Sequence, residues 1–148
     1  RSCAPKIPIS YLQVFGDKDT ITPINGKVSS DGWFYEKPEI SFNKWAEGMG
    51  CTEDLEASNL LTAESNNLIC TSRRSCSKGR SLEVINCLVP DGGHAWPGQK
   101  PGVGFCRSKE QGTSIPNQKE CLDNNGKEIN WGNEVIWEFF NKHRRESA

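Results

Sequence analysis

Seven cysteines in 148 residues (Cys3, Cys51, Cys70, Cys76, Cys87, Cys106 and Cys121) limit this chain more than any other feature. No two form a Cys-x-x-Cys pair, which argues against a zinc ribbon or a thioredoxin-like redox centre. Cysteines at this density fit an oxidising, extracellular setting, and the expected localisation is secreted. The number is odd, so one thiol is free or joined to something outside the chain. Cys3, at the terminus, is the expected orphan.

The length fits one domain, spanning residues 1–148, with a moderate core. Eighteen basic and 19 acidic side chains leave a net charge of −1, no electrostatic footprint for nucleic acid. The longest apolar run is far too short to cross a bilayer, so neither nucleic acid nor membrane is an expected partner. Only two histidines occur, His94 and His143, so no cluster of metal ligands forms. No metal and no cofactor are expected. The chain opens on Arg1 and shows no secretory apolar core, and is expected to be a mature, processed or excised product.

Hydrophobic patterning alternates between the two periods of an α/β fold. Residues 9–15 read as a strand stopping at Gly16, and the polar loop Asp17-Lys18-Asp19-Thr20-Ile21-Thr22 closes on Pro23. Residues 24–37 read as a surface loop whose Trp33, Phe34 and Tyr35 either line a cleft or anchor the loop to the body. Pro38 opens a helix with Phe42, Trp45, Ala46 and Met49 at i, i+3, i+4, i+7, ended by Gly48 and Gly50. Residues 67–72 and 81–89 read as two strands joined by a basic turn, a hairpin in which Cys70 and Cys87 would face each other. Residues 99–125 form a long irregular insertion that Cys106 and Cys121 would staple. The last element is a helix over 132–143 with Val135, Ile136, Phe139 and Phe140 on one face, and His143 suits the dipole of its final turn.

Two residues carry the chemistry. His94 follows the 81–89 strand on the glycine-flexed loop Asp91-Gly92-Gly93, where glycine supplies the positive φ of a sharp turn, and Trp96-Pro97-Gly98 stiffens the exit. Asp19 stands at the same kind of position, just past a strand end, with Asp17 as a competing carboxylate. A carboxylate bonded to one imidazole nitrogen fixes the tautomer and stabilises the imidazolium as the other nitrogen takes a serine proton. In α/β-hydrolases the triad runs Ser, then Asp or Glu, then His, each after a strand, and Asp19 and His94 fit the second and third places.

Gly16-x-x-Asp19-x-x-x-Pro23, Trp45-Ala46 leading to Gly50-Cys51, Gly92-Gly93-His94-Ala95-Trp96-Pro97-Gly98 and Ile136-Trp137-Glu138-Phe139-Phe140 together resemble the polyhydroxybutyrate depolymerase and feruloyl esterase group of secreted α/β-hydrolases. The resemblance implies a serine-type cleavage of ester bonds in polyesters or on plant cell-wall polysaccharides, with Asp19 as triad acid and His94 as triad base. It also implies that Cys51 pairs with Cys76, leaving Cys70 with Cys87 and Cys106 with Cys121. No Gly-x-Ser-x-Gly elbow occurs anywhere in the 148 residues, and Ser114 lacks the strand–elbow–helix setting. The expected fold class is therefore α/β, a partial α/β-hydrolase comprising the C-terminal strands and helices without the nucleophile half. The first strand's edge and the apolar faces of both helices would then need cover from elsewhere.

Three functions are compatible with these residues. The chain is the acid–base half of an ester hydrolase whose serine lies on a separate segment; or a truncated relative that assembles with copies of itself through a strand edge and Cys3; or a binding module using Trp33, Tyr35 and Trp96 for carbohydrate or aromatic esters. Without a serine on a nucleophile elbow, the chain alone is expected not to hydrolyse esters.

Overall fold

The computed structural model describes residues 7–29, 32–51, 55–60, 68–79, 81–90, 92–94 and 131–144. Cys3, Trp96, Ser114, the 99–125 insertion and the expected Cys106–Cys121 pair lie outside them. Six elements follow in order: β1 (Tyr11–Gly16), α1 (Pro38–Met49), β2 (Glu56–Ala57), β3 (Ile69–Arg73), β4 (Val84–Val89) and α2 (Trp131–Lys142). The strands form one mixed sheet in the order β1-β4-β3-β2. β4 pairs parallel with β1 on one side and antiparallel with β3 on the other. The two-residue β2 was not marked by any alternation in the sequence, being too short to show a period.

β1 and β4 alternate apolar side chains across the two faces of the sheet, as the period of two requires. Leu12 and Val14 of β1 join Ile85, Cys87 and Val89 of β4 under α2, whose Val135 and Phe139 are buried there with Leu60 and Leu68. On the opposite face Phe42, Ala46 and Met49 of α1 pack over Val84, with Tyr11 and Trp45 at the margin. The two rings of Tyr11 and Trp45 stack with centroids 4.4 Å apart. Both helices therefore bury their apolar stripes on this chain's own sheet, which corrects the expectation that those faces need an outside cover. What stays exposed is narrower: Ile40 on α1, and Trp137 and Phe140 on α2.

α1 begins on Pro38, whose missing N–H costs nothing at a first helical position. It ends where Gly50 takes a left-handed φ of 69°, donating to Glu47 while Cys51 N–H returns to the Ala46 carbonyl. That turn delivers Cys51 to Cys76, and the disulfide between them ties the helix exit to the β3–β4 connection. Cys70 and Cys87 stand opposite each other in the β3–β4 ladder and form the second disulfide. Disulfides of this kind are typical of extracellular proteins. Among the described residues no helix is long and apolar enough to cross a membrane.

A buried ionic cluster closes the far end of the hairpin. Glu83, 4% exposed, precedes β4; its Oε1 accepts from Arg74 Nε at 2.9 Å, and its Oε2 lies 3.3 Å from His143 Nε2. That second approach is a close polar contact between ring and carboxylate. The His143 ring rests on Phe139 at 4.7 Å, and its Nδ1 faces the Ser81 carbonyl at 3.3 Å. Burial alone would raise the Glu83 pKa, but His143 and Arg74 overcome it and bring it down to about 2. His143 thus fastens the end of α2 to the hairpin, a role beyond the dipole contact expected of it.

Candidate active site

Parallel pairing decides where the chemistry can gather. Gly16 ends β1 opposite Val89, the last residue of β4, so both strands release their loops at the same edge of the sheet. Loops at the C-terminal ends of parallel strands are where α/β sheets place ligands and reacting groups. Lys18 N–H donates to the Gly92 carbonyl at 2.9 Å and Asp17 N–H to the Val89 carbonyl at 3.3 Å, so the two loops are joined through their backbones.

Across that junction His94 Nδ1 lies 3.0 Å from Asp19 Oδ2, two groups separated by 75 residues of chain. Asp19 is nearly buried, with 6% of its side chain exposed, whereas half of the His94 side chain is open to solvent. The other carboxylate oxygen, Oδ1, accepts the backbone N–H groups of Ile21 and Thr22, each at 2.8 Å. This is the turn chemistry that a loop aspartate ordinarily performs. Both readings of Asp19 are therefore satisfied at once, turn closure through Oδ1 and imidazole pairing through Oδ2. The competing carboxylate, Asp17, makes no contact with the imidazole among the described residues.

Burial pushes the Asp19 pKa up. The hydrogen bonds from the Thr22 hydroxyl and backbone, from His94 and from Ile21 together outweigh it and hold the carboxyl below its ordinary 3.8. An ionised carboxylate only accepts, so the proton in the pair sits on Nδ1, and in the neutral imidazole the lone pair is then at Nε2. No described residue bonds Nε2. The arrangement can accept a proton at Nε2 and stabilise the resulting cation through Asp19.

The remaining expected site residues do not join the pair. Trp33 is 68% exposed and Tyr35 half-buried, and no hydrogen bond or ring contact links either to Asp19 or His94 among the described residues. Trp33 and Phe34 do not anchor their loop to the body. Instead Val28 and Phe34 bridge antiparallel, and Ser29 holds the turn by exchanging hydrogen bonds with the backbone of Trp33. Trp96 lies outside the described residues. Sequence reasoning did not single out Thr22, which donates its hydroxyl to Asp19 Oδ2. The signal that would have found it is an Asp followed three residues later by a hydroxyl side chain within one loop. Among the described residues no group of His, Cys, Asp and Glu is arranged to hold a metal ion.

No family model matches the chain, and no solved structure matches it significantly. Over 104 residues the chain is 30% identical to a protein of Nocardia uniformis subsp. tsuyamanensis named "Putative esterase NocK". The match covers 64% of this chain and 30% of that protein, so the chain spans less than a third of the curated relative's length. The similarity is a hint of esterase ancestry.

Proposed function

We propose that this chain carries the acid and the base of a secreted carboxylic-ester hydrolase whose serine nucleophile comes from a segment outside these 148 residues. The observation that carries the reading is the 3.0 Å contact between His94 Nδ1 and Asp19 Oδ2 at the shared C-terminal edge of two parallel strands. In this reading the fold is a partial α/β-hydrolase. β1, which has a strand neighbour on one side only among the described residues, receives the serine-bearing half along its open edge. The resemblance of the Gly92–Gly98 run narrows the substrate to feruloyl or polyester-type esters.

The steps follow from the geometry. His94 Nε2 takes the serine proton as the oxygen adds to the ester carbonyl, and Asp19 stabilises the imidazolium through Nδ1–H. The imidazolium then protonates the departing alcohol, leaving an acyl-serine. Water, activated by the same Nε2, releases the acid and restores the serine. Such general acid–base assistance contributes roughly 10²–10⁴-fold. The chain by itself supplies no nucleophile for the covalent step and turns over no ester.

A fluorophosphonate probe applied to the full-length protein tests this directly. The reading requires a labelled serine outside residues 1–148, with labelling and methyl ferulate hydrolysis both lost in His94→Ala. Hydrolysis by the 148-residue chain alone that survives His94→Ala would overturn the assignment. The edge of β1 left unpaired among the described residues, with the exposed Ile7 and Ile9 just before the strand, also favours a second reading, pairing with a copy of this chain. Intact mass with and without reductant separates the two, because self-assembly gives multiples of one mass and the split enzyme gives two different chains.

A further inference from the structure

Resting on the acid–base reading of Asp19 and His94, we infer that Thr22 is the positioning residue of the pair, holding the Asp19 carboxylate so that Oδ2 faces Nδ1. A carboxylate turns easily about its last torsion, which is broad and two-fold. At Asp19 that freedom is removed from both ends. Oδ1 is held by the N–H groups of Ile21 and Thr22, and Oδ2 accepts the Thr22 hydroxyl as well as the imidazole. Thr22 therefore grips both oxygens, one through its backbone and one through its side chain.

The alternative, that Thr22 acts on the ring itself, fails on distance. Its Oγ1 lies 3.5 Å from His94 Nδ1, against 3.0 Å for Asp19 Oδ2. A contact that long is weak, so Thr22 works through the carboxylate. The hydroxyl has one proton and gives it to Oδ2, which favours the ionised carboxylate and leaves Nδ1–H as the second donor. Pro23 completes the device from the sequence side, since a residue before proline is biased to extended backbone. Thr22 is thereby held in a narrow conformational range just where its hydroxyl must reach back over one turn.

The test needs no substrate. Imidazole ¹⁵N and carboxyl ¹³C resonances are followed with pH in the full chain for wild type, Thr22→Val, Thr22→Ser, Thr22→Ala and Asp19→Asn. Thr22→Val is expected to make Asp19 titrate at higher pH than in wild type and to let His94 lose its Nδ1–H preference. Thr22→Ser, which keeps the hydroxyl, is expected to restore both. If Thr22→Val does not fold, the contrast between Thr22→Ser and Thr22→Ala decides in its place. The inference is overturned if the hydroxyl-free variant matches wild type in both readouts while Asp19→Asn alters the imidazole, or if Asp19→Asn itself leaves the imidazole unchanged. A tautomer shift in Thr22→Val supports the positioning role even if no serine outside residues 1–148 takes the fluorophosphonate label, a result that removes only the esterase reading.

Discussion

Gly16 and Gly92 meet back to back, so that a methyl group built on Gly16 would lie on the Gly92 carbonyl. Nothing but hydrogen fits between the two loops at that point. Neither glycine takes a left-handed φ, so what this junction requires is room rather than unusual torsion. Gly16→Ala is expected to destabilise the protein by about 1–3 kcal/mol, the usual cost of overpacking, because the neighbouring atoms are backbone and cannot swing aside. The same substitution forces the loops carrying Asp19 and His94 apart. Urea denaturation gives the first effect and loss of the Asp19-linked imidazole tautomer the second. A variant with the wild-type midpoint and tautomer would show that the close approach is dispensable.

Glu83 predicts an acid-sensitive attachment of α2 to the hairpin. Its carboxyl falls from the ordinary 4.5 to about 2 because, against the cost of burial, it is ionised between His143 and Arg74. A group with a depressed folded-state value stabilises the protein fully above its unfolded value and loses that contribution as pH falls through the folded one. Stability is therefore expected to drop between pH 4.5 and about 2, by about 3 kcal/mol from this group. Glu83→Gln should lower stability at neutral pH and flatten that part of the profile. Melting temperatures of the two proteins measured across the range would show it. Parallel profiles would place the acid sensitivity elsewhere.

The two disulfides act on different parts of the fold. Cys70–Cys87 closes a separation of 17 residues within an already paired hairpin, whereas Cys51–Cys76 closes 25 and joins α1 to the sheet. Loop closure alone predicts about 3 kcal/mol for each, with a small excess for the longer loop. Replacing Cys51 and Cys76 together by alanine is expected to loosen α1 first, since Phe42, Ala46 and Met49 depend on the placement of that helix. Hydrogen exchange resolves this: protection should fall over residues 38–49 more than over 84–89. Uniform loss across both would mean the disulfide stabilises the whole domain evenly.

What could be read from the residues followed from periodicity and punctuation. The apolar spacing from Phe42 to Met49 with Pro38 before and Gly50 after marks α1, because propensity, stripe and caps agree there, although Gly48, expected to share in ending the helix, lies within it. β1 was expected over 9–15 and lies at Tyr11–Gly16, since its start is set by pairing with β4 rather than by any local signal. The Cys70–Cys87 pair followed from hairpin register. Asp19 and His94 were legible as loop residues beyond strand ends, yet their meeting depends on β1 and β4 being neighbours and parallel, a long-range fact that no window of sequence contains. Thr22 and the Glu83–His143 contact were hidden for the same reason. Each is an ordinary polar residue until the fold brings its partner to it.

Asp19→Asn isolates the electrostatic part of the pair from its geometry. Asparagine keeps the size and can still accept the turn N–H groups at its carbonyl oxygen, so folding should be little affected. It carries no charge, however, and its amide offers Nδ1 a donor where the carboxylate offered an acceptor. The imidazole would then present Nδ1 as the acceptor and lose its lone pair at Nε2, the atom that takes the serine proton in the proposed reaction. If the proposed esterase reading holds, kcat of the full-length protein for an aryl ester is expected to fall by roughly 10²–10⁴-fold with KM little changed, since the charge acts on the transition state and not on substrate binding. In wild type the hydrogen bonds that keep Asp19 below 3.8 should hold the charge in place throughout the neutral and mildly acidic range, and it is lost only as pH falls through that lowered value. Steady-state kinetics of both proteins above pH 5 check this: a rate deficit in Asp19→Asn that disappears with falling pH in that range would mean that the carboxylate is not the charged partner of His94.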